Sequence, residues 1–390
     1  MFLVAEWTNE LEQWLREAAV EAGFDLCGVA GLADSKELLG AARFSDWVEA
    51  GRAGEMEYLK RRDEAGVLLR SAVQVAMPWA QSVVVCAMNY NVGGPLSTAP
   101  AAVGTGWIGR YAWSGSDPEE EAGWETHGVV EGLEATDYHD DLLARLRRVE
   151  TALLSRTSCE TRCYVDTGPL VERSVAARAG IGWIGKNTCV LNQELGSWLL
   201  LAVIVTSLPK GESVLVHEAA DRCGSCTRCI DACPTGALVR EREMDASRCI
   251  AYLTIEKKGE IDEGLREGMG RQVFGCDICQ DVCPWNRSSP IAVKKGSLAR
   301  QELINPPLEW LAGLDAATFK RWFKGSPLER TKRKRLLRNV AIAMGNSGES
   351  RFLPQLQQWE RGEDQILAEA AGWAIRRIER IGGEEAGSTC

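Results

Sequence analysis

Histidine is nearly missing from this chain. Only His127, His139 and His217 occur among 390 residues, which excludes a histidine-rich metal centre. No apolar run approaches the ~20 residues that a membrane span needs. The opening, MFLVAEWTNELEQW, carries no basic leader and turns acidic at once, unlike a secretory signal. A formal net charge of −10 argues against a protein that coats nucleic acid indiscriminately, though it permits a local basic groove. With 45% hydrophobic and 26% charged residues the composition is that of a soluble globular protein of two or three domains. Cytoplasmic residence, no membrane association and a monomer are expected.

Cysteine is what the chain has in quantity. One run reads Cys223-x2-Cys226-x2-Cys229-x3-Cys233-Pro, a second reads Cys276-x2-Cys279-x3-Cys283-Pro, and Cys249 stands between them. The first spacing is that of bacterial proteins holding two [4Fe–4S] clusters, in which the fourth cysteine of a run crosses to the other cluster. The crossing pattern gives one cluster Cys223, Cys226, Cys229 and Cys283, and the other Cys276, Cys279, Cys233 and Cys249. Closely spaced thiolates let one backbone wrap offer several soft sulfurs to neighbouring irons. Pro234 and Pro284 stiffen the exits. Zinc remains the alternative, because a Cys-x2-Cys pair alone does not tell the metals apart.

Along the chain, NELEQWLREAAVEA at 9–22 has helical periodicity and ends at Gly23. SVVVCAM at 82–88 and GSWLLLAVIVTS at 196–207 read as buried strands, and TDYHDDLLARLRRV at 136–149 as a helix capped by Thr136 or Asp137. This alternation predicts an α/β domain over 1–217. The cysteine segment, 218–290, follows as a small α+β, ferredoxin-like two-cluster domain. After Pro290 no strand-like run stands out. Leu336, Leu337, Val340, Ala341 and Met344 share a helical face, and further helical periods follow, so 291–390 reads as an all-α domain of stacked, HEAT-like helix pairs. Residues 114–135 are acidic, glycine-rich and aperiodic, and read as a surface loop or flap.

Four segments resemble one family: MNY at 88–90, DYH at 137–139, VDTGPLVERSVAARAGIGWIGKNT at 165–188 and RCIAYLTIE at 248–256. With the cysteine pattern and RNVAIAMGN at 338–346 they resemble epoxyqueuosine reductase, over about residues 10 to 380. The resemblance implies a cobalamin in the N-terminal domain, whose fold is shared with cobalamin-dependent reductive dehalogenases, and two [4Fe–4S] clusters beside it. It implies reduction of epoxyqueuosine to queuosine at the wobble position of transfer RNA, with electrons from an external donor. The family's acid maps to Asp137. Tyr90, Tyr138, His139, Asp166, Arg173, Gly182 and Lys186 are the candidate cobalamin contacts, the glycines allowing close backbone approach to a large ligand.

An ordinary aspartate has a pKa of about 3.9. Burial beside a corrin is expected to raise that of Asp137 and keep its proton. Tyr138 and His139, as first helical residues, are not expected to act together. Lys332, Arg333, Lys334 and Arg335, within RTKRKRLLR at 330–338, are the candidate contacts to RNA phosphates. Trp107, Trp113 and Trp124 are the candidates to stack an extruded base. Cys189 reads as buried packing. The insert at 114–135 departs from the family, which runs almost directly from a Tyr-Ala segment into DYH.

Overall fold

The computed structural model describes residues 5–32, 43–116, 128–211, 219–292 and 298–387. Its first layer is helix α1 (Asn9–Glu21), started by Thr8, whose hydroxyl accepts the Leu11 N–H at 3.1 Å. Behind it stands a four-stranded sheet of β1 (Leu26–Gly31), β2 (Ser82–Asn89), β3 (Thr161–Tyr164) and β4 (Leu199–Thr206), in the order β1-β2-β4-β3 and antiparallel throughout. Helix α2 (Tyr138–Arg156) precedes β3, and helix α3 (Glu172–Arg178) follows it.

Strand β2 explains the three-layer build. Its alternate residues Val84, Cys86 and Met88 face a core with Leu11, Leu15, Leu142 and Leu146 of α1 and α2. Val83, Val85 and Ala87 face Val175, Ala176 and Ala179 at the other helix, α3. Both faces are covered, so all eight residues of β2 are buried and the strand reads as an unbroken apolar run. Gly28 in β1 lets α3 come close, since a Cβ there would lie 2.1 Å from the Ala179 carbonyl oxygen.

The expected flap is built differently at its ends. Ser114–Ser116, Gly128–Val130 and Glu134–Ala135 are short strands that form a second sheet with Leu298–Arg300. Strands this short carry no period that sequence reading detects. Leu298–Arg300 is also a strand after Pro290, where none was expected. Asp117, Glu119, Glu120, Glu121, Trp124 and Glu125 of the insert lie outside the described residues, as do His127 and His217.

In the cysteine segment, Cys229 and Cys279 each sit in a single helical turn, Arg228–Asp231 and Ile278–Asp281. The strand Gln272–Phe274 pairs with Trp107–Ile108 and joins this segment to the N-terminal part. The C-terminal region is helical: α4 (Lys332–Ser347), α5 (Leu353–Glu360) and α6 (Gln365–Gly387). Among the described residues, no helix is long and apolar enough to cross a membrane.

Buried Arg338 of α4 ties this region to the cysteine segment. It donates to the main-chain oxygens of Lys257 (2.8 Å), Gly259 (2.6 Å) and Leu253 (2.7 Å). The next residue, Asn339, donates to those of Thr254 and Val273, each at 2.9 Å. Burial pulls the Arg338 guanidinium down to about 10, still charged at neutral pH. Arg338→Met removes the donor to three carbonyls, that of Leu253 buried, and is expected to lower unfolding free energy by about 3–5 kcal/mol in denaturant titrations.

Candidate active site

Asp137 is the last residue before α2 and caps it. Its Oδ1 accepts the His139 main-chain N–H at 3.0 Å. Thr136 does not take that role; its carbonyl oxygen instead accepts the Ser114 hydroxyl at 3.0 Å. The same Asp137 Oδ1 lies 2.9 Å from His139 Nδ1, and its Oδ2 is ion-paired with Arg330. Arg330 comes from the 3-10 turn Pro327–Thr331, just before α4. Its guanidinium carbon stands 5.7 Å from the Tyr138 ring centre, and its Nη2 lies 2.7 Å from His139 Nδ1. A guanidinium nitrogen cannot accept a hydrogen bond. Arg330 therefore bonds His139 only when Nδ1 is unprotonated, and His139 donates to Asp137 only when it is protonated.

Burial alone pushes the Asp137 carboxyl up. The hydrogen bonds from the His139 ring and main chain, with the Arg330 guanidinium, outweigh it and hold the group below the usual carboxylate range. This reverses the expected direction: here Asp137 is ionised at neutral pH.

Tyr138 and His139 do act on common partners, contrary to expectation. The Tyr138 hydroxyl donates to Asp166 Oδ2 at 2.5 Å, and His139 Nε2 lies 3.6 Å from the same oxygen. Asp166 follows β3 in the left-handed region, φ 54°, a conformation that an aspartate tolerates better than most side chains. Tyr111 packs edge-on to Tyr138 at 5.8 Å and against Phe274 of the cysteine segment at 5.9 Å. Burial is the main cause that raises the Tyr138 and Tyr111 hydroxyls.

The other expected contacts stand apart from this group. Half-buried Tyr90 accepts from Gln280 Nε2 at 3.2 Å and meets Trp198 edge-on. Arg173 donates to the Thr188 carbonyl (2.8 Å) and hydroxyl (3.1 Å) oxygens. Lys186 is buried, its ammonium 2.6 Å from Glu241. A Cβ at Gly182 would lie 2.1 Å from the Leu191 carbonyl oxygen, so packing within the hairpin Trp183–Ile184/Val190–Leu191 requires glycine there. Gly180, Gly182 and Gly185 have G-x-G-x-x-G spacing, but they lead from α3 into that hairpin. The strand-to-helix turn of a dinucleotide site is not formed.

Neighbouring thiols influence one another in the cysteine segment. Burial raises the Cys283 thiol to about 11, and Cys229 and Cys223 are the neighbouring thiols that add to it. Burial likewise raises Cys276, with Cys249 and Cys233 adding. Cys279 is raised first by its contact with Cys189. Trp183 packs with Cys283 and Cys223, and its buried indole N–H has no partner among the described residues. Among those residues, no three His, Cys, Asp or Glu side chains gather round one metal-ion position.

Glu172, Asp277 and Arg330 escaped sequence reading. Burial raises the Glu172 and Asp277 carboxyls to about 7 each. Asp277 accepts the Arg110 main-chain N–H at 2.6 Å, while Glu172 Oε1 is buried without a partner among the described residues. The basic segment divides in two. Arg333 donates to the Leu314 carbonyl oxygen at 2.6 Å, and Arg335 to those of Thr331 (2.7 Å) and Glu256 (3.3 Å). Lys332 is exposed, and Lys334 is exposed beside Asp364 at 3.2 Å. Trp107 and Trp113 are buried, the Trp113 indole donating to the Ile108 carbonyl oxygen at 2.9 Å, so neither is free to stack a base.

Residues 222–286 match the family model of a 4Fe-4S double cluster binding domain, and residues 70–167 that of "Epoxyqueuosine reductase QueG, DUF1730". The epoxyqueuosine reductase of Xanthomonas campestris pv. campestris is 34% identical over 367 residues, 93% of this chain and 94% of that protein. That of Escherichia coli K12 is 33% identical over 380 residues, 95% of this chain and 91% of that protein. A crystal structure of epoxyqueuosine reductase with an epoxyqueuosine-modified tRNA-Tyr stem loop superposes with a TM-score of 0.78 at 29% identity, covering 95% of this chain and 90% of the other. The Bacillus subtilis enzyme, described with its aspartate-bearing catalytic loop swung out of the active site, superposes with a TM-score of 0.77 at 29% identity, over 95% of this chain and 90% of that one. By identity over nearly its whole length, the chain belongs to the epoxyqueuosine reductase family.

Proposed function

We infer that this protein reduces epoxyqueuosine to queuosine in transfer RNA, with cobalamin and two [4Fe–4S] clusters as cofactors. Full-length similarity to epoxyqueuosine reductases carries the reading. The acid group around Asp137, joined through Tyr111 to the cysteine segment, supports it.

The residues fit the cofactors. Cys223, Cys226, Cys229 and Cys283 would hold one cluster, and Cys276, Cys279, Cys233 and Cys249 the other. Eight soft thiolates in two neighbourhoods are the donor set for iron–sulfur. The orphaned Trp183 N–H suits a sulfide acceptor. Cobalamin supplies a strongly reducing cobalt, which no side chain offers. Its rim carries amide N–H groups, and the unpartnered Glu172 Oε1 is a buried acceptor for one of them. Tyr138, His139 and Asp166 would line the reacting side. Tyr90 would line the cluster side, and Arg173, Gly182 and Lys186 support the wall between. The C-terminal helices are read as HEAT-like pairs that present Lys332 and Lys334 to RNA phosphates, whereas Arg333 and Arg335 brace the main chain.

Opening the epoxide requires a proton at the leaving oxygen. Asp137 would give it; His139 lies at its Oδ1 and the Tyr138 hydroxyl donates to Asp166 beside them. Electrons arrive from an external donor through the cysteine segment.

Three outcomes test this reading. Asp137→Asn keeps a capping side chain and lacks the transferable proton, so turnover of an epoxyqueuosine stem loop should fall by roughly 10²–10⁴. Asp137→Ala should also lose about 0.5–2 kcal/mol of stability, since the carboxylate caps α2. The Asp137 pKa is depressed on folding, so its stabilisation is present above the ordinary aspartate range and lost as pH falls through the folded value. The stability gap between wild type and Asp137→Asn should therefore close in acid. A fully active Asn variant shows that Asp137 only caps.

Anaerobically purified protein should hold about eight iron atoms, four per cluster. Cys283→Ser should damage the cluster of Cys223, Cys226 and Cys229 and spare the other. An iron content near four, or zinc, overturns the ligand sets.

Lys332→Ala with Lys334→Ala should weaken RNA binding and reduce the logarithmic salt slope by roughly 0.7–0.9 per lost phosphate contact. An unchanged slope makes this an ordinary solvated helix face.

A further inference from the structure

Asp137 is the proton source in the function proposed above, yet its surroundings keep it ionised. Hydrogen bonds from His139 lower its pKa first, and a charge from far along the chain adds to them. Arg330 pairs with Asp137 Oδ2 and lies over the Tyr138 ring. Its turn is fixed from both sides. Arg335 of α4 donates to the carbonyl oxygens of Arg330 and Thr331. On the other side Gly325 rests near Ala135, two residues before Asp137, in the small sheet. The guanidinium itself is not enclosed: the Arg330 side chain is 41% exposed, against 15% for Asp137. It heads the basic segment whose Lys332 and Lys334 face solvent. One cation therefore touches the acid and is also open to an incoming anion.

We propose that Arg330 is a positioning residue that exchanges Asp137 for a backbone phosphate of the docking RNA, so that Asp137 takes up its proton only when substrate is bound. The proposal rests on the RNA-reductase reading above. Guanidinium suits this exchange, because it pairs with carboxylate and phosphate in the same forked geometry. Once Arg330 leaves and a phosphate charge approaches, burial and that charge are opposed only by the His139 hydrogen bonds. Burial, which by itself raises the Asp137 carboxyl, acts with one lowering charge fewer. His139 Nδ1 is released from Arg330 and stays within hydrogen-bond distance of Asp137 Oδ1. The proton comes from solvent and ends on the opened epoxide oxygen. The resting clamp keeps the acid ionised until RNA arrives, so proton and substrate enter together. The charged and titratable groups that face Asp137 are His139 on its own helix, Arg330 from the C-terminal turn, and Tyr138, Asp166 and Tyr111 around them.

The test is calorimetry of the oxidised, cofactor-loaded enzyme with an epoxyqueuosine stem loop, without reductant. Titrations in buffers of different ionisation enthalpy count the protons taken up. Wild type should take up close to one proton per RNA bound at neutral pH, by linkage to the raised Asp137 pKa. Asp137→Asn should bind RNA and take up none. Arg330→Gln should lower the logarithmic salt slope of binding by roughly 0.7–0.9. It should also move the acid-side onset of proton uptake up by about one pH unit or more, because the free carboxyl has lost its cation. Arg330→Lys, which keeps the charge, should retain both wild-type properties, and unaltered cluster spectra show that the variants are folded. RNA binding with no Asp137-dependent proton uptake overturns the exchange. So does Arg330→Gln with unchanged slope and onset, which leaves Arg330 a structural brace. Failure of the wild type to bind the RNA at all overturns the parent reading instead.

Discussion

Asp137 cannot cap a helix, hold a guanidinium and deliver a proton at once. Its position before Tyr138 commits one oxygen to the first turn of α2, and Arg330 occupies the other. Every element that matters to the site bears on this conflict. The antiparallel sheet brings Asp166 to the Tyr138 hydroxyl. Helix α4 sets the turn that carries Arg330. A carboxylate with an opposite charge beside it is a poor acid, and this is the conflict that the proposed exchange at Arg330 would resolve.

The electron side is built on a different principle. Soft sulfurs are delivered by short local wraps, and burial raises the thiols, which favours neutral groups until a metal binds. Tyr111 stands between the two sides, in contact with Tyr138 and with Phe274 of the cysteine segment. Arg338 and Asn339 then lock that segment to the helical region through main-chain carbonyls. The region that would receive RNA and the segment that would carry electrons are thus one packed unit.

Local chemistry was legible in the sequence. Cysteine spacing, the periods of α1 and α2, and the apolar runs of β2 and β4 are all properties of neighbouring residues, and all are present. The three residues of the DYH motif meet in one group because they are adjacent. What escaped depends on distance along the chain. Arg330 lies 193 residues from Asp137, and nothing in RTKRKRLLR marks its first arginine as different. The same segment looked uniformly basic, yet Arg333, Arg335 and Arg338 are spent on carbonyl oxygens. Charge counting cannot separate a brace from a contact. The direction of the Asp137 pKa failed because the His139 hydrogen bonds, and after them the distant Arg330, outweigh burial. Short strands in the insert failed because two or three residues have no period to read.

The most direct test of the account is nucleoside analysis after anaerobic incubation of the iron-loaded protein with an epoxyqueuosine-containing transfer RNA and a strong reductant, with and without added cobalamin. Queuosine should form only when cobalamin and reductant are both present. Epoxyqueuosine recovered unchanged from the complete mixture would contradict the account.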